Sequence, residues 1–135
     1  MAIFLSNDVQ VTLNAVDLTD HVTSASISRV FDELEVTAMG DTSHVFVKGL
    51  EASTITLDFL NDTATTNVLQ TLQAAWGTTV ALTLKQTSAA TSATNPLYST
   101  TVLINNTTDI NGAVGDISSQ SLSLTCNSPI VITTS

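Results

Sequence analysis

Thr54-Ile55-Thr56-Leu57-Asp58-Phe59 places an apolar side chain on every second residue, with Thr54, Thr56 and Asp58 between them. A period of two is the mark of a strand with one face in a core and the other in water. The same rhythm recurs along the chain. Val9, Val11 and Leu13 alternate with Gln10 and Thr12, the pattern breaks at Asn14-Ala15, and Val16-Asp17-Leu18 resumes it, which predicts an opening hairpin. Thr19-Asp20-His21 reads as a turn, with Asp20 placed to bond its own downstream backbone. Val22–Phe31 alternates again, with Thr23, Ala25, Ile27, Arg29 and Phe31 on one side. Ser24, Ser26 and Ser28 share the other side with Val22 and Val30. Later, Val80, Leu82 and Leu84 point inward from a strand over Thr79–Gln86, and Leu97–Ile104 forms another. Ser118–Cys126 and Ile130–Thr133 finish the set, separated by Pro129. Thr87–Pro96 reads as a loop, and Asn105–Gly115 as a turn-rich connection.

One segment has helical spacing instead. After Asn61-Asp62, a candidate N-cap pair, apolar residues fall at Val68, Leu69, Leu72, Ala75 and Trp76, three and four apart. Gly77 is placed to be the C′ residue. Trp76 is expected to pack with that face, so that its truncation to alanine would cost about 3–5 kcal/mol. No internal repeat or linker interrupts the 135 residues. The expectation is one domain, residues 1–135: mainly β, an antiparallel β-sandwich or barrel with one flanking α-helix.

Composition narrows the function. Twelve acidic residues face only three basic ones, Arg29, Lys48 and Lys85, giving a net charge of −9. A nucleic-acid binder displaces counterions with a basic footprint that this chain lacks. Aromatic residues make up 4% of the chain, too few for base-stacking platforms or a sugar-binding surface. Cys126 is a single cysteine on an alternating strand, read as a core thiol, and excludes an internal disulfide. Met1–Leu5 lacks a basic n-region before Asn7 and Asp8, so no signal peptide and no membrane insertion are expected, and folding is assigned to a reducing cytoplasm.

The chemistry-bearing residues do not form a catalytic or metal pattern, and neither enzymatic activity nor a cofactor is expected. His21 and His44 have no partner at zinc-ligand spacing and read as surface or turn histidines. No serine sits in a G-x-S-x-G elbow. Asp109-Ile110-Asn111-Gly112 with Asp116 begins like a calcium loop, but Gln120 stands where a bidentate Glu is wanted, and a glycine-assisted turn is the plainer reading. The stretch Phe31–Met39 is different in kind. It packs Asp32, Glu33 and Glu35 among Phe31, Leu34, Val36 and Met39 in a chain otherwise poor in charge. Apolar residues in a long excursion are costly to leave wet, and another copy of the chain could cover them. Those seven residues are the candidate intersubunit contact, the alternative being an ordinary mobile loop that packs on its own domain.

Several pieces, in order, resemble one family. They are Val16-Asp17-Leu18-Thr19-Asp20-His21-Val22, Thr37-Ala38-Met39-Gly40-Asp41-Thr42, Gly49-Leu50 followed by Thr54–Phe59, and Asp62–Gly77 with its terminal Trp-Gly. Thr87-Ser88-Ala89, Thr94-Asn95-Pro96 and Gly112-Ala113-Val114-Gly115-Asp116 continue the series. Together they resemble the small tail tube proteins of long-tailed, siphovirus-like bacteriophages. The resemblance implies a β-sandwich closing toward a barrel, hexameric rings that stack into a tube, and a long hairpin loop reaching a neighbouring subunit. It implies as partners further copies of the chain and other virion tail proteins, with DNA passing through without specific binding. It also implies residence in the virion tail after assembly in the host cytoplasm. A head decoration or head–tail connector protein is the alternative within the same virion, and a surface- or carbohydrate-binding β-sandwich is the alternative outside it. An acidic wall suits DNA passage, because phosphates find no cation to hold them.

Overall fold

A computed structural model of the chain describes residues 8–64 and 68–134. In chain order the elements are β1 (Gln10–Leu13), β2 (Val16–Asp17), β3 (Val22–Ser28), β4 (Phe31–Glu35), β5 (Phe46–Glu51) and β6 (Thr54–Leu60). After them come α1 (Val68–Ala75), β7 (Thr79–Lys85), β8 (Leu97–Leu103), β9 (Ser119–Thr125) and β10 (Val131–Thr133). All strand pairs are antiparallel. One sheet runs β10-β8-β7-β1-β2, a second runs β3-β6-β9, and β4 and β5 form a two-stranded ribbon of their own. The result is a β-sandwich with one flanking helix, as the alternation predicts.

The core is what the period of two puts inside. Val11 and Leu13 of β1, Ile55, Leu57 and Phe59 of β6, Leu82 and Leu84 of β7, Val102 of β8 and Leu122 and Leu124 of β9 form one buried cluster. Val68, Leu72 and Ala75 of α1 close it. At one corner the two sheets meet: Val102 bridges Cys126, and the Asn127 amide donates to the Thr101 carbonyl at 2.7 Å. Cys126 is half-buried against the core, and burial pushes its thiol above the ordinary cysteine range.

The opening hairpin is as expected, and local chemistry departs from expectation in three other places. The opening hairpin forms on Asn14-Ala15, both at positive φ (51° and 65°), the geometry of a tight primed turn. The carboxylate serving the Thr19–His21 turn, a short 3₁₀ helix, is Asp17 rather than Asp20: Asp17 Oδ1 accepts from the Thr19 amide at 2.9 Å. The third strand stops at Ser28, short of Phe31, and a bulge between Val22 and Ser24 turns Val22 onto the core side with Ala25 and Ile27. Trp76 is 55% exposed and is no core residue. The helix ends at Ala75, the Trp76 amide bonds back to Gln73 in a tighter final turn, and Gly77 at φ 75° swings the chain away. Asp62 Oδ1 accepts from the Ala64 amide at 2.8 Å, and the Asp62 carbonyl accepts from Leu69 at 3.2 Å. The expected cap lies partly among residues 65–67, and the leader reading at Met1–Leu5 and Asn7 lies wholly, outside the described residues.

Candidate interaction surfaces: an arm, a hydroxyl face and an open groove

Phe31–Glu35 is not an irregular excursion but the first strand of a ribbon. Leu34 stands opposite Val47, Glu35 opposite Phe46 and Glu33 opposite Lys48. Two residues, Gly49 and Leu50, face Asp32 across the register shift between Phe31 and Glu33. A Cβ on Gly49 would stand 2.9 Å from both Asp32 Cβ and Asp32 O, so only glycine lets the strands meet there. Beyond the strands, the Val36 amide donates to the Val45 carbonyl at 2.8 Å. At the tip the Ala38 amide donates to Asp41 Oδ2 at 2.7 Å, and Gly40 turns at φ 95°. His44 Nδ1 pairs with Glu35 Oε2, which also accepts from the Thr37 hydroxyl at 2.9 Å. The ribbon is therefore an ordered arm, closed at its base by the Ala52 amide on the Val30 carbonyl at 2.6 Å.

Alternation divides the arm into two unlike faces. Residues directly opposite in a ladder share a face. One face carries Leu34, Val36, Val45 and Val47 with Asp32 and Gly49. The other carries Phe31, Glu33, Glu35, Phe46 and Lys48, with Lys48 Nζ 5.6 Å from the centre of the Phe31 ring. Every residue of β4 is exposed, Leu34 at 52%, and Met39 at the tip touches water all round. The fold thus brings all seven candidate contact residues onto one projection, split between its two sides. Asp32, Leu34 and Val36 lie on the aliphatic side, and Phe31, Glu33 and Glu35 on the side with Lys48.

The outer face of the small sheet is of a different chemistry from the arm. Three rows cross its strands: Ser24-Asp58-Ser121, Ser26-Thr56-Ser123 and Ser28-Thr54-Thr125. Eight short hydroxyl side chains and one carboxylate make up this grid, with no cation and no large apolar group. The serines of β3 and the threonines of β6 alternate separately in the sequence, and the register that aligns them is a tertiary fact.

The arm and a second apolar segment leave this sheet at opposite ends. The arm departs beside the Ser28–Thr54–Thr125 row. The connection between β8 and β9 arrives at the other end, where Ser119 pairs with Leu60, and it exposes Ile110, Val114 and Ile117. A strand of seven residues sets the two about 20 Å apart. On its way this connection covers the free edge of β9. Asn106 Nδ2 donates to the Ser123 carbonyl at 3.2 Å, Asn111 Nδ2 donates to the Ser119 carbonyl at 2.6 Å, and Gln120 Oε1 accepts from the Thr108 amide at 3.1 Å.

The free edge of β3 has no such cover among the described residues. Along it runs an open groove of about 400 Å³, lined by the apolar Val9, Ile27 and Leu84 together with Arg29, Lys85 and Tyr98. A second hollow of about 400 Å³, lined by Asp8, Asp20 and Val22, continues it toward the start of β3.

The titratable side chains stand in separate small contacts. His21 Nε2 lies 2.8 Å from Asp62 Oδ2 and ties the 3₁₀ turn to the segment before α1. The Ala64 amide and the His21 ring hold the Asp62 carboxyl below the ordinary aspartate range. Bonds from Thr19 do the same for Asp17, and bonds from Ser88 for Asp8. Asp109 and Asp116 flank a turn at Ala113–Asp116 that carries Gly115 at φ 88°. Among the described residues no three His, Cys, Asp or Glu side chains gather as a metal site, and no helix is long and apolar enough to cross a membrane. No protein-family model and no curated protein matches the chain.

Proposed function

We propose that this chain is a self-assembling structural subunit whose copies form rings, hexameric in the resembled family, that stack into a phage tail tube for the passage of DNA. The observation that carries the reading is the arm: four aliphatic side chains, Leu34, Val36, Val45 and Val47, share one face that the chain itself leaves half uncovered. Covering the remaining half of four such side chains is worth roughly 3–6 kcal/mol. A protomer that holds this surface on an ordered ribbon has a use for it in a contact.

Two further features support a tube over a closed dimer. The arm and the Ile110–Ile117 segment lie at opposite ends of β6 and differ in chemistry, which favours head-to-tail contacts between copies over a self-complementary one. The hydroxyl grid on β3, β6 and β9 suits a channel wall, since phosphates sliding past it would meet no cation and release no counterions. In this reading the partners are further copies and the proteins at the ends of the tube, DNA is cargo without a specific site, and the protein resides in the virion tail.

Negative-stain microscopy of the purified full chain across a concentration series tests the proposal. Annular particles or tubes with a central hole are the expected outcome. A featureless monomer at every concentration would sink it, and particles seen only on capsids would move the protein to the head.

A further inference from the structure

We propose that the aliphatic face of the arm seats in the groove along β3 of a neighbouring copy, where its Asp32 meets Arg29 and Lys85. The inference rests on the self-assembly reading and adds the receptor for the arm. Asp32 is the carboxylate on the aliphatic face, while Glu33 and Glu35 point to the opposite side. Of the chain's three cations, Lys48 lies on that opposite side over Phe31. The remaining two, Arg29 and Lys85, both line the groove, and neither joins an ion pair with a described residue. The charge that the aliphatic face presents is thus matched at one place only.

Shape and edge chemistry agree. The groove is walled by Val9, Ile27 and Leu84, which offer the aliphatic strip an apolar seat. The seven residues of β3 span about 20 Å and the five of β4 about 14 Å, so the arm is shorter than the edge it would lie along. The other edge of the small sheet is already occupied by Asn106 and Asn111, whereas no described residue covers the outward backbone groups of β3. The connection at the far end of the sheet is a poorer receptor, because Asp109 and Asp116 would repel an acidic arm. The arm cannot serve its own groove. Its base is clamped by Ala52 on Val30 and by the Ser53 hydroxyl accepting from the Val30 amide, and it stands off the parent sandwich on both faces.

Cross-linking between two single-cysteine proteins tests this. On a Cys126→Ser background, a tagged Val47→Cys chain is mixed with an untagged Gln86→Cys or an untagged Ile110→Cys chain, and each assembled mixture is treated with a short bismaleimide; Gln86 lines the same groove and carries no charge. A tagged–untagged adduct with Gln86→Cys, at least tenfold above that with Ile110→Cys, is expected. Independently, Arg29→Glu with Lys85→Glu should raise the concentration threshold for assembly at least tenfold, and adding Asp32→Arg should recover most of the loss. Normal assembly with no Gln86→Cys adduct, or charge reversal without effect on the threshold, overturns the receptor and leaves self-assembly standing. Failure of the wild-type chain to assemble at all overturns both.

Discussion

Leu34 and Val47 face each other across the arm, 52% and 46% exposed, and between them form the middle of an aliphatic face that no other described element covers. Replacing both with serine therefore removes little from the folded subunit. The double variant is expected to melt within about 1 kcal/mol of the parent, since exposed positions carry small penalties. Its assembly threshold should rise by at least tenfold. Thermal melts and light scattering on one preparation separate the two effects, and a variant that polymerises normally would remove the arm from the interface.

Leu72 and Trp76 look equivalent in the sequence, four residues apart on one helical stripe, but only Leu72 is buried. Leu72→Ala should cost about 2–5 kcal/mol, as a cavity in a packed core does. Trp76→Ala should cost no more than about 1 kcal/mol. Urea titration of both variants gives the comparison directly. Equal losses would mean that the indole packs as the stripe suggests.

Ala15 holds φ at 65° in the turn between β1 and β2, a conformation that strains a Cβ and suits glycine. Asn-Gly is the preferred pair for such a two-residue turn. Ala15→Gly is accordingly expected to stabilise the chain by about 0.5–1 kcal/mol, the relief of strain exceeding the added freedom of the unfolded chain. A fall in melting temperature would contradict that balance.

These contrasts mark how much of the molecule its sequence discloses. Ile55-Leu57-Phe59, Val80-Leu82-Leu84 and Leu122-Leu124 lie inside, as their alternation says, because a sheet with one wet face leaves a period of two. The arm hides the same period: Phe31 and Phe46 sit on one face and Leu34 and Val47 on the other, so both faces carry apolar residues and the strand signal cancels. Trp76 misleads because helical spacing carries no sign of where the helix tightens. Val22 changes sides at a bulge that no residue type announces. The hydroxyl grid and the presence of Arg29 and Lys85 on one groove depend on register and on packing between sheets, which local patterns do not encode. Asn106 and Asn111, which shield the edge of β9, read as ordinary loop residues until that edge is beside them.

Asp17 makes stability depend on acid. Its carboxyl is held below the ordinary aspartate range by hydrogen bonds from the Thr19 side chain and backbone. A carboxyl whose folded pKa is depressed contributes stability that is fully present above its unfolded pKa of about 3.9 and is lost as pH falls through the folded value. The wild-type melting temperature should therefore drop between pH 5 and pH 2. Asp8 and Asp62 are depressed too, so part of that drop persists in Asp17→Asn. The variant should be less stable than wild type at pH 7 and converge with it near pH 2. Parallel curves across that window would show that Asp17 contributes no linkage.

Gln120 is the buried polar side chain of β9 on which the far end of the small sheet depends. It is 3% exposed, its Nε2 donates to Asn61 Oδ1 at 2.8 Å, and its Oε1 takes the Thr108 amide at 3.1 Å. Asn61 Nδ2 in turn donates to the Ser118 hydroxyl at 2.8 Å. One side chain thus holds the end of β6 and the connection that shields β9. Gln120→Leu keeps the volume but removes both bonds; with Asn61 half-buried and Thr108 exposed, water replaces part of them and the loss should be about 0.5–1.5 kcal/mol. The loss should be local in its consequence: with Thr108 released, the connection should lift from the edge of β9 while the core strands stay protected. Hydrogen exchange by mass spectrometry would report this as faster exchange over Asn105–Ser118 with β6 and β7 unchanged. Uniform acceleration across the sandwich would instead make Gln120 a determinant of the whole core, and unchanged exchange would mean that Asn106 and Asn111 hold the connection without it.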